Sequence, residues 1–132
     1  MVAQAKIYER CELARELRNR GIPGDQLATW VCIANFESSF NTNALGTKNA
    51  DGSKDHGLFQ ISDLWWCTPG PRNGCNIKCS QFHNDDISDD LRCAQKIYEE
   101  RKRLFGDGFT AWTVYQPNCS GRKAARFVNG CF

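Results

Sequence analysis

Two carboxyls in contrasting settings carry the first chemical signal in this chain. Glu37 closes Trp30-Val31-Cys32-Ile33-Ala34-Asn35-Phe36, the most hydrophobic stretch of the sequence. On a helix, Ile33 and Ala34 lie one turn before it on the same face. A carboxyl beside apolar neighbours is harder to ionise, and an acid at a helix C-terminus faces the negative end of the macrodipole. Both effects keep a proton on Glu37 near neutral pH, as a general acid requires. Asp55 instead sits among Ser53, Lys54, His56 and Gly57 in a polar hairpin, where a carboxylate stays ionised. One protonated and one ionised carboxyl can divide acid and base or nucleophile duties between them. Read singly, each also has a plainer role. Glu37 can be an exposed acid at a helix end, and Asp55 a turn-stabilising residue with Asp51 its equal.

Trp65-Trp66 is the second signal. Two adjacent tryptophans beside Cys67, in a segment without helical or strand periodicity, cannot both be deep core, so at least one ring faces solvent or a ligand. Flat aromatic faces suit sugar rings, whose C–H faces are apolar and whose rims are polar. The alternative is one Trp in the core and one incidental.

These residues need elements to position them. Ile7, Cys11, Ala14 and Leu17 recur at helical spacing before Gly21, which predicts a helix over about 8–20. Asp25 can cap a second helix with a buried stripe of Leu27, Trp30/Val31 and Ala34, ending near Phe36. From Asn41 to Ile61 the chain turns to Asn, Gly, Thr and Ser, with Asp51-Gly52 as a hairpin signal. A small antiparallel sheet is expected there, over about 45–49, 53–56 and 58–61. Residues 63–84 hold three Cys and the turn formers Pro69-Gly70-Pro71 and Gly74, and read as a stapled loop. Helical spacing returns at Ile87, Leu91, Ala94 and Ile97/Tyr98 and runs through Arg103 until Gly106-Asp107-Gly108 breaks it. A short helix near 109–115 and a last turn near 122–127 complete the chain. The class is α+β, with helices at both ends, a small sheet in the middle and a cleft between two lobes.

Composition sets the limits. The 132 residues suit one domain, and 41% apolar content supports a core. A net charge of +2 excludes the strongly basic footprint of a nucleic-acid binder. No apolar run approaches the ~18–20 residues of a membrane span. Eight Cys point to disulfides and an oxidising compartment, hence secretion. Zinc is the rival, but Cys75-x3-Cys79 is the only tight pair, and His56 and His83 match no finger spacing. Spacing alone does not choose among roughly a hundred pairings of eight Cys. Ala3-Gln4-Ala5 resembles the small-x-small end of a signal peptide, with Lys6 as first mature residue. Residues 1–5 are therefore read as a leader remnant or cloning residues, and 6–132 as one domain.

Longer motifs make the chain recognisable. Phe36-Glu37-Ser38-Ser39-Phe40-Asn41-Thr42, Asp51-Gly52-Ser53-Lys54-Asp55-His56-Gly57-Leu58-Phe59-Gln60-Ile61, Trp65-Trp66-Cys67, Cys75-Asn76-Ile77-Lys78-Cys79, Cys93-Ala94-Gln95-Lys96-Ile97 and Ala111-Trp112 closely resemble chicken-type (c-type) lysozymes. The match runs from Lys6 to Phe132, with all eight Cys in the family's order. The resemblance implies the pairings Cys11–Cys131, Cys32–Cys119, Cys67–Cys79 and Cys75–Cys93, and a helical lobe and β lobe flanking a substrate cleft. It implies Glu37 as general acid, Asp55 as nucleophile or electrostatic stabiliser, and Trp112 packed against the acid. Asn49, Gln60, Trp65, Trp66 and the Ala111 backbone would line sugar subsites. The implied substrate is the β-1,4 bond between N-acetylmuramic acid and N-acetylglucosamine in bacterial peptidoglycan, with slower action on chitin oligomers, by a secreted monomer that needs no cofactor for catalysis.

The sequence also departs from the family pattern. Ser62 stands where many members have an Asn that orients the nucleophile; Thr68–Gly74 is a shortened loop; and 99–109 carries an insertion beside the outermost subsite, to which Asp107 is assigned. In the 81–90 segment, the carbonyls of Gln81 and Asp86 and the side chains of Asn84, Asp89 and Asp90 stand where calcium-binding relatives, including α-lactalbumins, hold the ion. Helix capping by these acids is the equal alternative. The competing function is a non-catalytic sugar-binding module or an α-lactalbumin-like modulator. Members that have lost hydrolysis typically lose one or both carboxyls, and this chain keeps both. An inhibitor or toxin explains the Cys but neither the carboxyls nor the Trp pair.

Overall fold

The structure is a computed structural model that describes residues 4–132; the first three residues of the leader assignment lie outside it. Two lobes form, as expected. The helical lobe contains α1 (Arg10–Asn19), α2 (Leu27–Ser38), α3 (Ser88–Phe105) and α4 (Tyr115–Cys119). The β lobe contains β1 (Leu45–Gly46), β2 (Asp55–His56) and β3 (Ile61–Ser62), antiparallel in the order β1-β2-β3. Short 3-10 segments cover Cys79–Phe82, Gly108–Ala111 and Gly121–Val128.

Several boundaries move for identifiable reasons. α1 begins at Arg10 because residues 6–8 are extended against the end of the α2 connection: Tyr8 N donates to Phe40 O at 3.0 Å and Thr42 N to Lys6 O at 2.9 Å. Glu9 caps α1, its N–H donating to Glu12 Oε1 at 3.1 Å, while Lys6 pairs with Glu12. Asp25 does not cap α2. The helix grows out of a turn in which Gln26 N donates to Pro23 O at 2.9 Å; Gln26 then occupies the cap position in α conformation and accepts from Trp30 Nε1 at 3.2 Å. At its other end α2 runs two residues beyond Phe36. Ser38 Oγ donates to Ala34 O (3.0 Å) and Leu58 O (2.7 Å), and the helix stops at the left-handed Ser39.

The strands are shorter than alternation suggested, two residues each, in the registers Gly46↔Asp55↔Ser62 and Leu45↔His56↔Ile61. The third strand starts at Ile61 because Gly57–Gln60 is a turn, closed by Gln60 N to Gly57 O at 3.1 Å. Gly57 has φ +78°, and a Cβ there would sit 2.3 Å from Phe82 O. Backbone freedom and close approach both require glycine at this position.

The core centres on Trp30, which is 1% exposed. Phe109, Trp112 and Phe59 meet it edge to face at centroid distances of 5.1, 5.2 and 5.4 Å. The four disulfides are Cys11–Cys131, Cys32–Cys119, Cys67–Cys79 and Cys75–Cys93, the pairings the resemblance implied; no described cysteine is free. Cys67 and Cys79, whose sulfurs lie near His56, are bonded to each other. His56 Nδ1 lies 2.8 Å from His83 Nε2, and His56 Nε2 lies 3.1 Å from Asp63 Oδ2. This chain of contacts ties β2 to the segment after Cys79–Phe82. Among the described residues no helix is long and apolar enough to cross a membrane.

Candidate active site

A cleft of about 590 Å³ opens between the lobes. α2 supplies Glu37, β2 supplies Asp55, and the turn into β3 supplies Gln60, Ile61 and Ser62. The loop after β3 contributes Trp65 and Trp66, α3 contributes Ile97, and the end of the Gly108–Ala111 turn with the residues after it contributes Ala111, Trp112 and Thr113. Asn49 also lines it. Of the residues singled out from sequence, only Asp107 among the catalytic and sugar-binding set is absent from this wall. Its Oδ1 accepts from Phe109 N at 3.0 Å and caps the Gly108–Ala111 turn. Lys48, Ala50, Ser53, Ile61, Ile97 and Thr113 line the cleft without having been singled out. Flanking positions in the hairpin at 48–53 were the available signal for the first three.

The longer α2 determines the state of the acid. Glu37 lies in its last turn, behind the fully buried Ile33 and Ala34. Burial is the main cause raising its carboxyl to about 7, and the negative charge of Asp55 adds to it. The Ser38 hydroxyl that bridges to Leu58 O fixes this helix end against the β lobe.

Asp55 is not left at its ordinary value. Half-buried in the cleft wall, its carboxyl is raised by desolvation, opposed by a hydrogen bond from the Asn49 side chain. The hairpin that reads as polar in sequence is partly desolvated at Asp55 in the cleft wall. Asn49 Nδ2 also donates to Ser53 Oγ at 3.2 Å, which holds its side chain in place. Ser62 pairs with Asp55 across the sheet, but its Oγ accepts from Leu64 N at 3.2 Å. Asn49 is thus the side chain whose hydrogen bond bears on the Asp55 carboxyl. Asp51, its rival in sequence, is exposed and held below the usual carboxylate range by the Ser53 hydroxyl and N–H.

Trp65 is 48% exposed while Trp66 packs against the core, so the pair divides as expected. Trp112 is buried, with Nε1 donating to Phe59 O at 3.0 Å, and presents an apolar edge to the cleft that holds Glu37. Gln60 Nε2 donates to Ala44 O (3.1 Å) and Gly57 O (3.0 Å), leaving its oxygen for a ligand donor.

Two carboxyls facing one groove, one of them raised to about 7 by burial, beside an exposed indole, are parts that a glycosidase uses. The C-type lysozyme/alpha-lactalbumin family model matches residues 6–131. The chain belongs to that family. It is 39% identical to a milk isozyme of lysozyme C from Canis lupus familiaris over 96% of this chain and 98% of the relative. It is 40% identical to lysozyme P of Drosophila melanogaster over 100% of this chain and 90% of the relative. A lysozyme crystal structure from Litopenaeus vannamei superposes with a TM-score of 0.89 at 39% identity, covering 96% of this chain and 98% of that one. Activity of the lysozyme type follows, and a modulator of the α-lactalbumin kind is not favoured.

The family's calcium position needs separate treatment. Asp90 is 0% exposed, and neither carboxylate oxygen has a hydrogen-bond partner. Desolvation raises its carboxyl to about 8. Asn84 Oδ1 accepts from Asp86 N at 3.0 Å, and Asp89 Oδ1 accepts from Arg92 at 3.2 Å. The donor set of carboxylates, an amide oxygen and carbonyls is hard, as calcium requires. The unpartnered Asp90 oxygens are what a cation would satisfy, so the residues fit the ion.

Proposed function

We propose that this lysozyme cleaves the β-1,4 bond between N-acetylmuramic acid and N-acetylglucosamine in bacterial peptidoglycan, with chitin-type oligosaccharides as slower substrates. The observation that carries the reading is the Glu37 carboxyl, brought to about 7 in the same cleft as Asp55. Glu37 protonates the glycosidic oxygen as the bond breaks. Asp55, ionised and hydrogen-bonded by Asn49, faces the sugar carbon that becomes positive and acts as nucleophile or electrostatic stabiliser. This is the division of labour that lysozymes exemplify. Trp65, Trp66, Gln60, Asn49 and the Ala111 backbone hold the glycan. Asp107, turned into a cap, takes no part in this assignment. Four disulfides support secretion into an oxidising compartment, and the enzyme acts as a monomer.

The test is clearing of a bacterial wall suspension across pH. Rate is expected to fall as pH rises through about 7, where Glu37 loses its proton, and to fall again in acid as Asp55 gains one. Absence of clearing at every pH leaves only a sugar-binding role.

Calcium would be held by Asp89, Asp90, Asn84 and the carbonyls of Gln81 and Asp86, where it would supply positive charge at the start of α3 and take no part in the reaction. Adding calcium is expected to raise the thermal midpoint by several degrees and a chelator to reverse it, with the response lost in Asp90→Asn. An unchanged midpoint assigns these acids to helix capping alone.

A further inference from the structure

On the face of β2 turned away from the cleft, two imidazoles meet. Asp55 lines the cleft, while its neighbour His56 opens into a separate groove of about 530 Å³ on the β lobe, shared with His83. The pair sits inside a chain of four side chains. His56 Nε2 lies 3.1 Å from Asp63 Oδ2, His56 Nδ1 lies 2.8 Å from His83 Nε2, and His83 Nδ1 lies 3.2 Å from Asn43 Oδ1. Both rings are thus held from outside by oxygens, and their remaining nitrogens face one another.

Counting hydrogens along this chain gives its chemistry. A carboxylate and an amide oxygen only accept, so each outer ring nitrogen carries the hydrogen of its contact. A neutral imidazole has one N–H. Once both are committed outward, the two inner nitrogens present bare lone pairs to each other at 2.8 Å. The chain is complete only with a positive centre between them. An imidazole whose far N–H is fixed by a carboxylate or a carbonyl oxygen is also the arrangement by which proteins orient metal-binding histidines.

We propose that His56 Nδ1 and His83 Nε2 form a binding site for a divalent transition-metal ion such as zinc, with Asp63 and Asn43 orienting the two rings from behind. The site is independent of the hydrolytic reading of the cleft. Imidazole nitrogens suit zinc, copper or nickel, whereas calcium takes oxygens, so the pair differs in kind from the acids at the start of α3. Metal–nitrogen bonds of about 2.0–2.1 Å at a tetrahedral angle ask the two nitrogens to part by roughly 0.5 Å. His83 has room to give, being half-buried on the segment after Cys79–Phe82, while His56 is 8% exposed and fixed in the sheet. The sulfurs of Cys67 and Cys79 also lie near His56 but are bonded to each other, and a disulfide offers no thiolate ligand. Solvent in the groove therefore fills the remaining positions. Exposed Lys54 and Lys78 line the same groove and favour an anion, hydroxide or chloride, among those solvent ligands. With the ion bound, β2 is tied to His83 and through it to Asn43, which braces the strand that carries Asp55.

The test is calorimetric titration of zinc chloride into the whole protein, with calcium in excess to keep zinc from the 81–90 acids. Wild type is expected to bind one zinc ion and to gain several degrees in thermal midpoint. His83→Gln, at a half-buried position outside the core, is expected to weaken binding at least about tenfold and to lose that gain. Asp63→Asn keeps the side-chain shape but removes the carboxylate behind His56, and is expected to weaken binding by about ten- to a hundredfold. Cobalt used in place of zinc should develop the visible absorption of a nitrogen-ligated ion in wild type and not in His83→Gln. No uptake of zinc by wild type overturns the proposal: the Asn43 amide then donates to His83 through Nδ2, and hydrogens alone complete the chain. Uptake that survives His83→Gln overturns it as well, and its loss in Glu37→Gln would place the ion between the cleft carboxyls.

Discussion

Glu37→Gln is expected to lower kcat by roughly a thousandfold while changing oligosaccharide affinity by no more than about twofold. The amide has nearly the shape of the carboxyl but no proton to give to a leaving oxygen. Its surroundings make the exchange a clean one. In the folded protein the carboxyl is already held towards its neutral form by burial, so an uncharged replacement meets a site adapted to neutrality. A second signature belongs to the same variant. The alkaline limb of the wild-type profile arises from proton loss near pH 7, and Gln cannot titrate, so the residual rate should pass through that range without falling. Single-turnover hydrolysis of a chitin oligomer across pH, beside a fluorescence titration for affinity, reads both effects. Residual turnover within tenfold of wild type assigns proton donation to another group.

Asp55→Asn is expected to reduce turnover by roughly a hundredfold or more, because the cation-like sugar carbon loses the negative charge facing it. It also carries a signed effect on its partner. Asp55 contributes to the raised Glu37 carboxyl through its charge. Removing that charge makes Glu37 easier to ionise, so the alkaline limb should move below about 7. An electrostatic partner moves that limb; a residue acting through the local backbone alone does not. Asp51→Asn serves as the control. Its carboxylate is exposed and bonded to Ser53, and its loss should cost only a small part of the rate. If Asp51→Asn were the more damaging change, the two hairpin acids would exchange roles.

The difference between what was legible in the sequence and what was not follows the range of the interactions. Glu37 was legible because its environment is supplied by its own helix: Ile33 and Ala34 precede it by one turn, and both are buried. The sheet was legible as a site and a topology, but its strands are half the expected length because pairing partners, not alternation, decide where a ladder stops. The Asp25 cap failed because backbone conformation at Gln26 leaves no extended cap position. Asn49 bears on Asp55 through a hydrogen bond, and this could not be read locally because the two residues meet only when the hairpin closes. Asp107, assigned to a subsite by resemblance, caps the Gly108–Ala111 turn through Phe109 N, a contact that no local pattern announced. α3 runs to Phe105, two residues past the point where periodicity ended.

The bond between Cys11 and Cys131, 120 positions apart, encloses nearly everything else in the chain. A peptidase that clips the backbone once, at any point between those two residues, therefore releases nothing: both pieces stay covalently tied, and the carboxyl pair can keep its place across the groove. Nicked molecules should run as intact protein on a non-reducing gel and separate only when thiol is added. Wherever peptidases are present, that tether turns a first cut from destruction into a scar.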